Sequence, residues 1–141
     1  MSAPKPSKAG ITREDIRRLI EPFYKRVRAD ARLGPIFEGE IGVTDEEWAA
    51  HLDKIEAFWA NVMLHERSYQ GNPMQAHLAV PEIQGEDFAI WLDHFEKTAR
   101  RVLPEEKADA FAFLSRRIGA SLRMGIEQAR GGVPRLRAWA R

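Results

Sequence analysis

The sequence contains no cysteine, and this absence excludes several classes of site at once. Disulfides, thiolate nucleophiles and cysteine-ligated zinc or iron–sulfur centres all need the sulfur atom that the chain lacks. A run of about 20 apolar residues, the length that a helix needs to cross a bilayer, is also missing. The formal net charge is only +1, so no general basic field favours nucleic acid. We therefore expect no membrane and no nucleic-acid partner, with a cytoplasmic, reducing compartment as the default.

Familiar catalytic motifs are missing as well. The segment HERSY fails the His-Glu-x-x-His zinc pattern, because Tyr69 stands where the second histidine belongs. Glu47 and His51 are four residues apart, whereas the diiron bundle motif spaces glutamate and histidine by three and repeats the pair. The sequence has no glycine-rich phosphate loop and no Gly-x-Ser-x-Gly elbow. The sequence therefore contains no recognisable motif for hydrolysis or phosphoryl transfer.

What the chain does contain is a series of amphipathic helical patterns separated by short breaks. Apolar residues recur with a period of 3.6 residues, and no segment sustains the period-two alternation of a strand. Thr12 with Asp15, and Thr44 with Glu47, resemble capping boxes at the start of two long helices. We predict one all-α domain over residues 12–130, preceded by a flexible lead-in at 1–11 and followed by a basic tail at 131–141.

Proline and glycine mark the breaks between these helices. Pro22 lies inside the first helical pattern and predicts a kink or a helix junction near Ile20 or Glu21. The segment DARLGPIF, which contains Gly34-Pro35, predicts an interruption, with Phe37 in a short turn or a 3₁₀ segment. Further helices are predicted from about residue 86 and from residue 104.

One predicted helix is unusually short. It lies within QGNPMQAHLAV, where Asn72 is suited to cap it, Pro73 to occupy its first position and Pro81 to end it after about two turns. The helix carries a single histidine, His77. A two-turn helix buries little surface, so we expect something other than packing to fix its place.

Three polar side chains fall on the apolar faces of the longer helices. Tyr24 lies in the apolar stripe of the first helix, His51 in that of the next long helix and Trp91 in that of the helix predicted from residue 86. A buried hydroxyl or indole N–H needs a hydrogen-bond partner. Two interpretations stay open for each residue, either a satisfied core side chain or a contact to a polar guest.

Four segments together resemble a truncated haemoglobin, most closely the third group of that family. They are PFYKRVRADARLGPIF, WAAHLDKIEAFW, GNPMQAHL and FAIWLDHF, and the resemblance covers about Thr12 to Gln128. Their order and spacing carry it, since His77 follows His51 by 26 positions and precedes Trp91 by 14. The glycine pairs typical of the first two groups are missing from the expected loops. The resemblance implies a globin-like, two-over-two helical sandwich around haem b.

The resemblance also implies a role for each candidate residue. His77 corresponds to the proximal ligand of the haem iron, with its other ring nitrogen donating to a backbone carbonyl. Tyr24 and Trp91 correspond to distal donors that stabilise a bound oxygen molecule carrying partial negative charge. His51 matches the distal histidine position, where it gates entry rather than holding the ligand.

Three further residues correspond to the lining of the haem cavity. Phe37 is expected to pack on the haem face and Ile55 to contact the porphyrin on its distal side. Lys54 is expected to reach a haem propionate, with a solvated surface lysine as the equally open alternative. For His65 and His94 no role is predicted beyond surface or helix-flank positions.

The function implied is reversible binding of O2, with NO, CO, cyanide and peroxide as further ligands. Two hydrogen-bond donors that face the ligand, Tyr24 and Trp91, fit tight oxygen retention or oxidative chemistry better than simple oxygen transport. Whether the protein is an enzyme stays open, with NO dioxygenation or peroxide chemistry as the candidate reactions and a separate reductase as the partner that they require. The alternatives are a peroxidase-like haem enzyme and a cofactor-free helical interaction protein.

Overall fold

The computed structural model describes residues 10–67 and 69–132, and it is helical almost throughout. These residues contain six α-helices and a terminal π-helical turn, without any strand, which confirms the predicted all-α class. The predicted lead-in up to residue 9 and the predicted tail from residue 133 lie outside the described residues. The elements are α1 (Arg13–Ala29), α2 (Leu33–Ile41), α3 (Asp45–Leu64), α4 (Pro73–Leu78), α5 (Asp87–Val102), α6 (Glu105–Glu127) and the π turn (Gln128–Gly132).

Both predicted capping boxes are present. The Thr12 hydroxyl accepts a hydrogen bond from the Asp15 amide at 3.1 Å, and the Thr12 amide donates to the Asp15 carboxylate at 3.0 Å. The same reciprocal pair joins Thr44 and Glu47 at the start of α3. Each box satisfies two backbone donors that a helix start leaves without intrahelical acceptors, so the local sequence determines where α1 and α3 begin.

Helix α1 continues through Pro22 as a single helix, so the predicted alternative of a helix junction there was wrong. A proline in a helix interior removes one backbone hydrogen bond. The inner face of α1 is fully buried both before and after this position, and that burial offsets the lost hydrogen bond. The residues on this face are Ile16, Leu19, Ile20, Phe23 and Val27.

The predicted interruption is present at residues 30–32, but Gly34 and Pro35 lie in the first turn of α2 and Phe37 is α-helical, so their predicted places in the break were wrong. Amides in a first turn have no intrahelical acceptor, so a proline costs no hydrogen bond there. Gly34 permits a close approach between α2 and α1. A β-carbon at Gly34 would lie 2.4 Å from the carbonyl oxygen of Arg28.

The core lies between α1, α3, α5 and α6, and aromatic rings fill much of it. Phe95 of α5 stacks on Trp91 at 5.0 Å and on Trp59 of α3 at 5.2 Å between ring centroids. Phe23 of α1 meets Trp91 and Phe95 edge-on at 5.1 and 5.0 Å. Edge-to-face and offset-stacked pairs are the favourable aromatic arrangements. This stack fixes where α1, α3 and α5 lie relative to one another.

The short helix α4 has the predicted start. The Asn72 side chain accepts from the Gln75 amide at 3.1 Å, and Pro73 is the first helical residue. None of the side chains of Pro73–Leu78 is buried, which agrees with the small contribution to packing expected for this helix. Its contact with α6 is made by Met74, whose thioether covers Gly125.

Two glycines of α2 provide a matched test of the α1–α2 contact. Gly34→Ala places a methyl group against the backbone of α1 and is expected to lower the free energy of unfolding by about 1–3 kcal/mol. Gly39→Ala meets no atom within 4 Å. It is expected to raise the free energy of unfolding by up to about 1 kcal/mol through helix propensity. Urea unfolding followed by circular dichroism compares them, and equal effects would contradict the close approach.

Candidate functional site

Tyr24 and Trp91 meet where α1 faces α5. Tyr24 is buried, with 5% of its surface exposed, and burial raises the pKa of its hydroxyl well above the ordinary value. The Trp91 indole N–H beside this hydroxyl acts on that pKa in the opposite direction. An indole N–H can donate a hydrogen bond and so can a tyrosine hydroxyl, so the two side chains offer two donors close together.

His51 of α3 faces Tyr24 from the other side. The two rings are 5.3 Å apart and nearly perpendicular at 86°. The Nε2 atom of His51 is buried and has no hydrogen-bond partner among the described residues. Burial lowers the pKa of His51 to about 4, and the positive charge of Lys54 acts in the same direction. The imidazole is therefore neutral at pH 7, and its ring nitrogens offer one donor and one acceptor.

Trp48 is a member of this cluster that the sequence did not single out. Its ring lies 5.8 Å from the ring of Tyr24 and 5.3 Å from the ring of His51. The indole N–H donates to the Gly42 carbonyl at 2.8 Å, and the Arg28 guanidinium lies 4.6 Å above the ring. Trp48 precedes His51 by three residues, and this one-turn spacing was the available signal.

The three remaining predicted lining residues differ in exposure. The ring of Phe37 is half-buried and lies 5.8 Å from the ring of Tyr24. Ile55 is half-buried and packs against the core, whereas Lys54 is exposed. The structure thus brings Phe37 together with Tyr24, and it keeps Lys54 at the surface of α3 close enough for its charge to act on His51.

His77 lies apart from this cluster, on α4. Its Nδ1 atom is 2.6 Å from the carbonyl oxygen of Pro73, one turn earlier. A carbonyl oxygen can only accept, so Nδ1 carries the proton and Nε2 carries the lone pair of the neutral ring. The ring is half-buried and lies 5.9 Å from Phe88. Within the described ranges, it has no ring contact with Tyr24, His51 or Trp91.

The two histidines without a predicted role differ from each other. His65 is exposed and ends α3 in the left-handed conformation, at φ 59°, which agrees with a helix flank. His94 is half-buried, and its Nε2 lies 2.8 Å from the carboxylate of Asp30, so a surface position was wrong for this residue. Asp30 ends α1 and faces α5, and this contact draws His94 inward. The hydrogen bond with His94 holds the pKa of Asp30 below its usual range.

A membrane-spanning helix and a cluster of metal-ligating side chains are both missing from residues 10–67 and 69–132. Across these ranges no helix is both long and apolar enough to cross a membrane. Across the same residues, no three or more histidine, aspartate or glutamate side chains are grouped as a metal ion would require.

Comparison with known proteins gives a consistent result, although no family model matches the chain. A curated relative, group 3 truncated hemoglobin ctb of Campylobacter jejuni, is 47% identical over 96 residues. That alignment covers 68% of this chain and 76% of the relative. The crystal structure of the group III truncated hemoglobin from Campylobacter jejuni superimposes with a TM-score of 0.81 at 39% identity. The superposition covers 86% of this chain and 95% of the other.

The identity and the superposition support each other. Helical bundles of one architecture need not share sequence, so 47% identity across three quarters of a relative reflects common descent rather than shared packing rules. The superposition extends over nearly the whole described fold, which confirms the globin-like architecture. The chain therefore belongs to the group 3 truncated haemoglobins, a family of haem globins.

Proposed function

We propose that this protein binds haem b through His77 and reversibly binds O2 in a pocket whose polar donors are Tyr24 and Trp91. The observation that carries the proposal is the contact between Nδ1 of His77 and the Pro73 carbonyl. It leaves the lone pair on Nε2, which is the form of imidazole that coordinates iron. A histidine ligand whose second nitrogen donates to a carbonyl is also more basic and better oriented.

The residues present fit a haem rather than a metal ion bound by side chains alone. Haem would need only one nitrogen ligand from the protein, because the macrocycle provides its own nitrogen ligands to the iron. A single half-buried histidine on a short helix supplies that nitrogen, and no clustered carboxylates are needed. The buried Nε2 of His51, unpartnered among the described residues, fits a polar guest on the opposite side.

When bound, haem supplies an iron that binds O2 and other diatomic ligands reversibly in the ferrous state. The chain's own contribution is hydrogen bonding. The indole N–H of Trp91 and the hydroxyl of Tyr24 lie close together, and each is able to donate to a ligand. Both groups lie in an aromatic environment of low polarity, where a hydrogen bond to partial negative charge is strengthened.

His51, Phe37, Ile55 and Lys54 have supporting roles in this proposal. The neutral ring of His51 stands edge-on to Tyr24 and gates the approach to it. Phe37 and Ile55 provide half-buried apolar surface for the macrocycle. Lys54 is exposed on α3, the helix that carries Ile55, and its ammonium group is able to pair with a haem propionate.

A pocket with two donors favours retention of O2 over its delivery. Retention suits a protein that uses O2 in NO dioxygenation, with electrons from a separate reductase. CO, NO and cyanide are further ligands of the proposed site, since each binds haem iron at the same position.

A peroxidase-like activity is the second candidate, and His51 is the observation that favours it. Activation of hydrogen peroxide needs a base that takes a proton, and a neutral imidazole with an unpartnered Nε2 is suited to that role. Steady-state turnover with hydrogen peroxide, compared with turnover of NO, separates this activity from plain ligand binding.

The role of His77 is tested by substitution. The wild-type protein is expected to take up one haemin per chain and to show a histidine-ligated absorption spectrum. His77→Gly removes the ligand, so the spectrum is expected to change and to return when free imidazole is added. His65→Ala is the control, because His65 is exposed at the end of α3. An unchanged spectrum in His77→Gly would remove His77 as the ligand.

The role of Tyr24 is tested by the dissociation rate of O2. Tyr24→Phe deletes a hydrogen bond to a partly charged ligand, worth about 1.5–3 kcal/mol, so dissociation should be about 10- to 100-fold faster. Tyr69→Phe is a matched control, because Tyr69 is the other of the two tyrosines and packs against Phe58 of α3. Stopped-flow measurements decide the matter, and equal rates in both variants would exclude Tyr24 as a donor.

The burial of His51 predicts a pH dependence of stability. In the unfolded chain a histidine titrates near 6.5, whereas His51 in the fold titrates near 4, so unfolding between these values takes up a proton. Stability is therefore expected to fall as the pH falls from 6.5 to 4, with about 2–3 kcal/mol due to His51.

Urea unfolding of the haemin-loaded protein at several pH values measures this dependence. His51→Leu is expected to lose the His51 contribution, whereas His65→Asn keeps it, since His65 is exposed. Parallel pH profiles for the wild type and His51→Leu would show that His51 is solvated in the fold.

A further inference from the structure

An arginine beyond α6 holds the segment that follows the short helix. Arg130 lies in the terminal π turn, and its Nη2 donates to the Val80 carbonyl at 2.8 Å. Its Nη1 donates to the carbonyl of Ile83. The planar guanidinium thus spans two backbone acceptors of a turn in which the Ile83 amide also donates to the Val80 carbonyl.

A second arginine contacts the same segment from the corner between α1 and α2. The Nε and Nη2 atoms of Arg32 each lie 2.8 Å from the buried carboxylate of Asp87, and Nη2 also donates to the Glu82 carbonyl at 2.9 Å. The Asp87 carboxylate accepts from the Gln84 amide at 2.7 Å. Residues 80–87 are therefore fixed between two arginines from distant parts of the chain.

This segment is the immediate continuation of α4. The Val80 amide donates to the carbonyl of His77 at 3.1 Å, so the residue that Arg130 holds is itself bonded to the candidate ligand. Helix α4 has six residues, fewer than a helix needs to persist on its own, and none of its side chains is buried. Its position must come from the contacts at its two ends.

We infer that Arg130 is a positioning residue for His77. It fixes the carboxyl end of α4 against α6 and so sets the direction in which the imidazole points. The Met74 contact with Gly125 holds the other end of α4 on the same helix. The inference rests on the proposed function for its consequence at the haem, whereas the restraint on α4 stands on the contacts of the chain alone.

Three variants separate positioning from general stability. Arg130→Ala removes both carbonyl contacts, and Arg130→Lys keeps the charge but offers a single ammonium in place of the planar fork. Arg116→Gln is the matched control, because Arg116 is an exposed arginine of α6 that pairs with Glu96 of α5.

The first measurement is amide hydrogen exchange across residues 74–83 of the haemin-free and the haemin-loaded protein. Loss of the carbonyl contacts is expected to speed exchange there about tenfold in Arg130→Ala, with a smaller effect in Arg130→Lys. Exchange in α1 and α5 is expected to stay unchanged, as in Arg116→Gln. Exchange at 74–83 no faster than in Arg116→Gln would overturn the inference.

The second measurement is the iron–histidine stretching band of the ferrous protein in resonance Raman spectra. A shifted or broadened band in Arg130→Ala, partly restored in Arg130→Lys, is expected if Arg130 orients His77. An unchanged band alongside faster exchange would reduce Arg130 to a purely structural role and would overturn the positioning claim. Failure of the wild-type protein to bind haemin would contradict the proposed function, while the exchange of the haemin-free protein would still decide whether Arg130 restrains α4.

Discussion

The hydrogen bond between Nδ1 of His77 and the carbonyl of Pro73 is the interaction on which the proposed site depends. It closes one turn of a helix too short to persist alone, and it assigns the proton of the imidazole to one nitrogen. The other nitrogen is thereby left with its lone pair, directed away from the helix that carries it. Asn72 and Pro73 begin the helix, and the arginine contacts beyond residue 79 keep its end in place.

In the cluster of Tyr24 and His51, burial rather than charge determines the protonation states. Tyr24 is kept protonated because desolvation disfavours its phenolate, and His51 is kept neutral for the same reason. The pocket proposed for the ligand thus presents neutral donors that keep their protons at pH 7. Trp91 belongs to both the core and the candidate site, since its ring is part of the aromatic stack while its N–H lies beside the Tyr24 hydroxyl.

Local signals in the sequence predicted much of the fold. The capping boxes at Thr12 and Thr44 and the cap at Asn72 each depend on residues a few positions apart, and all three are present. Helix α2 was mispredicted because Gly34 and Pro35 read as breakers, whereas their place in a first turn is set by the approach of α1.

The contacts that the sequence did not reveal join distant parts of the chain. Asp30 and His94 are 64 positions apart, and Arg130 and Val80 are 50 positions apart. No local pattern predicts such a pair, because Asp30, His94 and Arg130 each look alone like ordinary surface side chains, and a backbone carbonyl such as that of Val80 has no sequence signal. His77, Tyr24 and Trp91 were identified because their spacing in the sequence resembles that of the family. The comparisons confirm the family itself.

The proton on Nδ1 of His77 is the central claim, and proton NMR of the ferrous, ligand-free haem protein tests it most directly. An iron-bound histidine whose Nδ1 is protonated gives a single exchangeable resonance shifted far outside the normal range by the unpaired electrons. The account predicts one such resonance, lost in D2O and absent from His77→Gly. Its absence from the haem-loaded wild-type protein, or its persistence in the variant, would contradict the account.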